Sequence, residues 1–179
     1  MTSHAVRNVV VATLGLLVGL GQEAYGQAFV EVLNQGQSRR VDVVRIAAKP
    51  NGELVLYFDG RDPVTLKPGQ YVRAVGVKPP ELERADALIA EGKNDQAMGL
   101  LRQAMQKSRY QSWDARAGAM LVDLLLEEGN TSAASAVLRQ LRQTYGDKLL
   151  ELYPEVQLVD WKVRIGTGAV AGLQEDLDA

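Results

Sequence analysis

From residue 28 onward the apolar positions first alternate and then recur at helical steps. Ala28 to Leu33 sets Phe29, Glu31 and Leu33 against Val30 and Val32, the period of two expected of a half-buried strand. Val41 to Ala48 is β-branched, and Glu53 to Asp59 is apolar over most of its length. Pro63 to Lys67 and Gln70 to Val75 complete a predicted set of five strands. Asn51-Gly52 and Asp59-Gly60 suit the positive φ of tight hairpins, and Pro68-Gly69 suits a type II turn. Short strands joined by tight turns predict a small, strongly bent sheet or partly open barrel.

At Pro79-Pro80 the pattern changes. Proline disfavours helix in the residue before it and suits a helix's first turn, so the pair predicts the end of the strands and the start of helices. Glu81 to Glu91 and Asp95 to Lys107 are amphipathic; in the second, Ala97, Leu100, Leu101, Ala104 and Met105 recur at three- and four-residue steps. Trp113 to Glu128 is the next predicted helix, with Ser112 as its N-cap. Gly129 breaks it, Thr131 or Ser132 caps Ala133 to Tyr145, and Gly146 stops that helix. Pro154 to Arg164 carries two apolar rows, Val156/Val159/Val163 and Leu158/Trp161/Ile165, which predicts a mostly buried helix packed on the previous pair. Val170, Leu173 and Leu177 predict a final short helix.

Superposing Gly92 on Gly129 exposes a repeat. Ala85, Leu88, Gly92, Ala97, Leu101 and Ala104 match Val122, Leu125, Gly129, Ala134, Leu138 and Leu141 step for step. On these residues the helical part resembles the tetratricopeptide repeat family, over about 80–146. The glycine offset is 37 residues, against about 34 in that family. Val122 and Leu141 stand where the family has small residues, and neither unit has its aromatic before the first small residue or its late proline. About three such units normally stand alone, so the β-domain and the last helix are expected to cover the ends of the array. Residues 28–77 resemble the Sm-like small β-barrels in strand number and length.

The N-terminus adds an address. Arg7 precedes the uncharged run Val9 to Leu20, 12 residues long, and small residues follow at Ala24 and Gly26. This is the pattern of a secretory signal peptide, cut after Gly26 or, as second choice, Ala28. A spanning helix needs roughly 20 apolar residues. The whole is therefore read as α+β: signal peptide 1–26, small β-domain 27–78, and a tetratricopeptide-like helical domain 79–179, with repeats near 80–109 and 117–146 and capping helices within 150–178. The two mature parts differ in charge, +3 for 27–78 and −5 for 79–179.

Composition narrows the chemistry. Hydrophobic residues at 46% and charged residues at 23% are the proportions of a soluble globular chain, which argues against wholesale disorder. A net charge of −2 gives no long-range pull toward nucleic acid or anionic membrane. There is no cysteine, and the single histidine, His4, lies in the leader. The mature chain would then lack the Ser-His-Asp and Cys-His machinery and the usual zinc ligand sets. Glu127-Glu128 and Glu175-Asp176 are neighbours in sequence, about 100° apart on a helix, and form no acid/base pair. Asp59, Arg61 and Asp62 read as a solvated turn, and Arg39-Arg40 with Tyr57, Phe58 and Tyr71 as a solvated loop plus core aromatics.

The family resemblance implies a concave face built by the first helix of each unit. It places groove positions at Leu82, Asp86 and Ile89, and at Arg116, Ala119, Asp123 and Leu126. The competing reading packs Leu82 and Leu126 against a neighbouring helix. The family's Lys/Asn carboxylate clamp is not present in these units. The expectation is an exported, extracytoplasmic, non-enzymatic scaffold that binds a protein or peptide, with no cofactor, metal, nucleic acid or stable membrane span after cleavage. The alternatives are an accessory subunit or carboxylate-dependent hydrolase acting on envelope polymer, and a structural homo-oligomer paired through edge strands.

Overall fold

The computed structural model describes residues 28–34 and 36–166. The signal-peptide reading, the Val170/Leu173/Leu177 helix and the Glu175-Asp176 pair lie outside these residues. The fold is α+β, as the pattern predicts: two small antiparallel sheets followed by a helical array.

Six strands form rather than five: β1 (Ala28–Asn34), β2 (Gln37–Val43), β3 (Arg45–Ala48), β4 (Leu54–Phe58), β5 (Arg61–Leu66) and β6 (Tyr71–Val75). The expected 41–48 strand begins earlier and bends at Val44. Its first part pairs with β1 in the sheet β2-β1-β6, its second with β4 in the sheet β3-β4-β5. Arg39 and Arg40, read as a loop, stand in β2, where the Arg40 guanidinium lies 3.8 Å over the Phe29 ring. Arg61 and Asp62, read as part of a turn, are in β5. The turn glycines Gly52, Gly60 and Gly69 all adopt positive φ. Val30, Leu54 and Leu56 centre a core that the two sheets share.

The array comprises α1 (Pro80–Ala90), α2 (Asn94–Lys107), α3 (Trp113–Glu127), α4 (Thr131–Tyr145), the short α5 (Leu149–Leu152) and α6 (Pro154–Gly166). The helix pairs α1/α2 and α3/α4 turn in the same way. Gly92 and Gly129 have φ of 72° and 74°. In one turn Gly92 N–H donates to Ile89 O and Lys93 N–H to Leu88 O; in the other Gly129 N–H donates to Leu126 O and Asn130 N–H to Leu125 O. Both are Schellman caps, closed by a left-handed residue that glycine adopts without a Cβ penalty.

Two capping expectations are corrected. Asn130, not Thr131 or Ser132, caps α4, its side chain accepting from Ala133 N–H at 3.1 Å. Ser112 stands at the N-cap of α3, as expected, with φ of 68° and its carbonyl accepting from Ala115 and Arg116 N–H, but its side chain makes no capping bond; the hydroxyl donates to Ala74 O at 2.7 Å. One of the second unit's departures from small residues, Leu141, also finds a reason. A Cβ at Gly118 would lie 2.8 Å from Leu141 Cδ1, so a glycine on α3 makes room for the larger residue on α4. A third correction concerns α6. Val156, Val159 and Val163 are buried, but Leu158, Trp161 and Ile165 are 58%, 50% and 56% exposed. This helix is buried on one row, not two.

Candidate functional site: a groove at the domain junction

The connection between α2 and α3, residues 108–112, is built unlike the two glycine turns. Tyr110 and Ser112 both hold positive φ without being glycine, a strained state that surrounding contacts must maintain. Those contacts come from the β-domain. The Tyr110 ring packs against the β core and its hydroxyl donates to Pro50 O at 3.3 Å. Next in the chain, the Trp113 indole N–H donates to Gly76 O at 2.7 Å. The β-domain therefore docks on the start of α3.

Behind the connection lies a buried polar cluster. Asp114 is 2% exposed. Its carboxylate accepts from the Tyr145 hydroxyl and from Tyr110 N–H, the latter at 3.1 Å. Burial pushes the Asp114 carboxyl up to about 6, against the opposing pull of those donors. The Tyr145 and Tyr153 rings meet at a tilt of 59°, with 4.8 Å between centroids. Burial raises both phenols, Tyr153 to about 12 and Tyr145 well above the usual value. Ser112 Oγ and Tyr153 OH, 3.1 Å apart, carry the cluster to Ala74 in β6.

In front of the connection is a cavity of about 620 Å³. Asp86 of α1 and Arg116, Ala119 and Asp123 of α3 line it, so four of the seven predicted groove positions share one concave surface. The other three do not line it: Leu82 is fully buried in the helical core, and Ile89 and Leu126 pack against that core. Arg73 and Val75 of β6, together with Tyr153 and Leu158, complete the walls. Sequence reading missed these, because nothing local shows which strand reaches the array.

The charges in the groove are partly satisfied. Asp123 accepts from Lys162 Nζ at 2.6 Å, and Asp86 lies 3.6 Å from Lys78 Nζ. Arg73 pairs with Glu31 at 2.8 Å while its Nε is buried without a partner. Arg116 is exposed and makes no ion pair among the described residues. A missed sequence signal also appears: Asp86, Asp123 and Asp160 recur at 37-residue steps. The third of them is buried and clamped by Arg142 of α4 at 2.6 Å and Arg164 at 3.0 Å.

Two like helix pairs with matching caps, and a groove across their first helices, decide the comparison. Residues 88–152 match the family model described as Tetratricopeptide repeat. The match runs from the end of α1 to α5, and this part of the chain is tetratricopeptide-repeat-like. No curated protein and no solved structure matches the chain. Among the described residues no group of three or more His, Cys, Asp or Glu is placed to hold a metal ion, and no helix is long and apolar enough to cross a membrane. Tetratricopeptide repeats generally serve protein–protein interaction, so the chemistry to look for here is recognition of a polypeptide.

Proposed function

We propose that the chain is an exported, non-enzymatic adaptor that holds a protein or peptide in the groove between α1, α3, α6 and β6. The observation that carries this reading is the convergence of Asp86, Arg116, Ala119 and Asp123 with Arg73 and Val75 on one cavity. Its walls mix apolar surface for burial with fixed charges for orientation, the composition expected of a recognition site. Export is supported by the charged start, apolar run and small-residue site of residues 7–26. The likeness of residues 28–77 to Sm-like barrels belongs to the same proposal, supported by the return of β6 to pair with β1.

Co-purification from an envelope fraction tests the reading. A defined partner should be retained by the parent chain and lost on Arg116→Ala or Asp123→Ala. If both variants keep every partner, the groove is not the binding surface. N-terminal sequencing of the protein from cells tests export, with Gln27 expected first.

A further inference from the structure

We propose that the binding surface does not end at the groove: the bound polypeptide continues over the exposed side of α6, as a linear segment that sets an acidic residue against Arg116 and large apolar residues against Leu158 and Trp161. This deepens the groove reading above and rests on it. On α6, Val156, Val159 and Val163 pack into the array, while Leu158, Trp161 and Ile165 are half exposed or more. Beside them is a hollow of about 410 Å³ that Trp161 helps to line. Pro154 and Leu158 line both this hollow and the groove. Leu158 is thus the step from one to the other, and Trp161 follows about one turn further along the helix. Singly exposed apolar residues are ordinary, but a row of three that adjoins a concave site marks an interaction surface.

The charges say which segment fits. Most of those in the groove are matched by the chain itself: Asp86 by Lys78 at 3.6 Å, Asp123 by Lys162 at 2.6 Å and Arg73 by Glu31 at 2.8 Å. The Lys162–Asp123 pair also ties α6 to α3, so the helix that carries the exposed row is fastened to the groove wall. Two lining charges are left over. Arg116 on α3 and Glu155 on α6 make no ion pair among the described residues. A ligand therefore gains by bringing an acidic group to Arg116 and a basic one to Glu155, whereas charges offered elsewhere meet partners already taken. Arginine and tryptophan are also among the side chains that most often anchor polypeptide interfaces. Two hollows that share a rim suit a linear segment, whose successive side chains enter one and then the other.

Trp161 supplies its own probe. The chain has two tryptophans and Trp113 is only 8% exposed, so acrylamide quenching of fluorescence reads Trp161. A random library of short linear peptides, selected on the protein purified from cells, should yield sequences that combine an acidic residue with aromatic or long aliphatic ones. The tightest of them should shield Trp161 from acrylamide. Trp161→Ala should weaken that peptide at least about tenfold, as loss of an aromatic anchor does, with helix content unchanged by circular dichroism. Arg116→Glu should lose the acidic peptides and select basic ones in their place. Peptides that need Arg116 but leave Trp161 open to the quencher, or that bind Trp161→Ala as well as the parent, overturn the continuation over α6 and leave the groove reading intact. An unchanged preference on Arg116→Glu overturns the charge assignment, and peptides indifferent to both changes overturn the groove reading as well. A library that yields no binder overturns the linear segment. A free protein whose Trp161 is already shielded overturns the proposal too, assigning the exposed row to residues 167–179 or to a second copy.

Discussion

The glycine turns at 91–93 and 128–130 and the connection at 108–112 join helices of similar length by opposite means. Each glycine turn closes on its own helix, with hydrogen bonds to carbonyls four or five positions earlier at most. The 108–112 connection closes on the β-domain instead, through Tyr110 to Pro50, Ser112 to Ala74 and, one residue on, Trp113 to Gly76. Local turns can be repeated because they need only their own sequence. The connection cannot, because its two left-handed non-glycine residues are held by another domain. Where the repeat is broken, the β-domain is joined to it, and the groove lies at that join.

Four sets of changes would break or sharpen the contrast. Trp113→Ala removes a buried ring and the indole bond to Gly76, and should cost about 3–5 kcal/mol; urea unfolding should show the midpoint fall with the β-domain losing its cooperativity with the array. Gly118→Val drives a side chain into Leu141 and should cost about 1–3 kcal/mol. Leu141→Ala in the same chain should make the pair of changes less than additive. Third comes Asp114. Its folded value of about 6 exceeds the ordinary value of 3.8, so folding takes up a proton between them. That contribution is complete below the unfolded value and is lost as pH rises through the folded one. Relative to Asp114→Asn, the parent should gain on the order of 1 kcal/mol between pH 7 and pH 5, read from urea midpoints at the two values. Smallest, Gly92→Ala and Gly129→Ala should each cost about 1 kcal/mol, and by equal amounts; unequal losses would show that the two turns are not equivalent.

Much of this molecule was legible in its residues for a physical reason. Helix periodicity and left-handed glycines are local, so α1 to α4 fall within two residues of their predicted bounds. The fused 41–48 strand was misread because β-branched residues favour extended backbone on both sides of a bend, and Val44 gives no sign of it. The caps failed differently. Asn, Ser and Thr all compete for an N-cap, and Asn130 took a position that Thr131 and Ser132 also suit, while Ser112 found a carbonyl in β6. On α6 the two apolar rows were visible, but periodicity says which faces are apolar and not which have a neighbour. Of the groove, Asp86, Arg116, Ala119 and Asp123 followed from the repeat register. Arg73 and Val75 did not, since their approach to α3 depends on docking between elements distant in sequence. The 37-residue offset was the one trace of it, a lengthened unit whose α2–α3 connection spans five residues where each glycine turn spans three.

Site-specific photocrosslinking in intact cells tests the composite groove most directly. A photoreactive residue placed at Arg73 in the β-domain and, separately, at Arg116 in the array should capture the same polypeptide, while one at exposed Arg139 on α4 should capture none. Different products from positions 73 and 116, or the same product from all three, would contradict a single groove built jointly by sheet and helices.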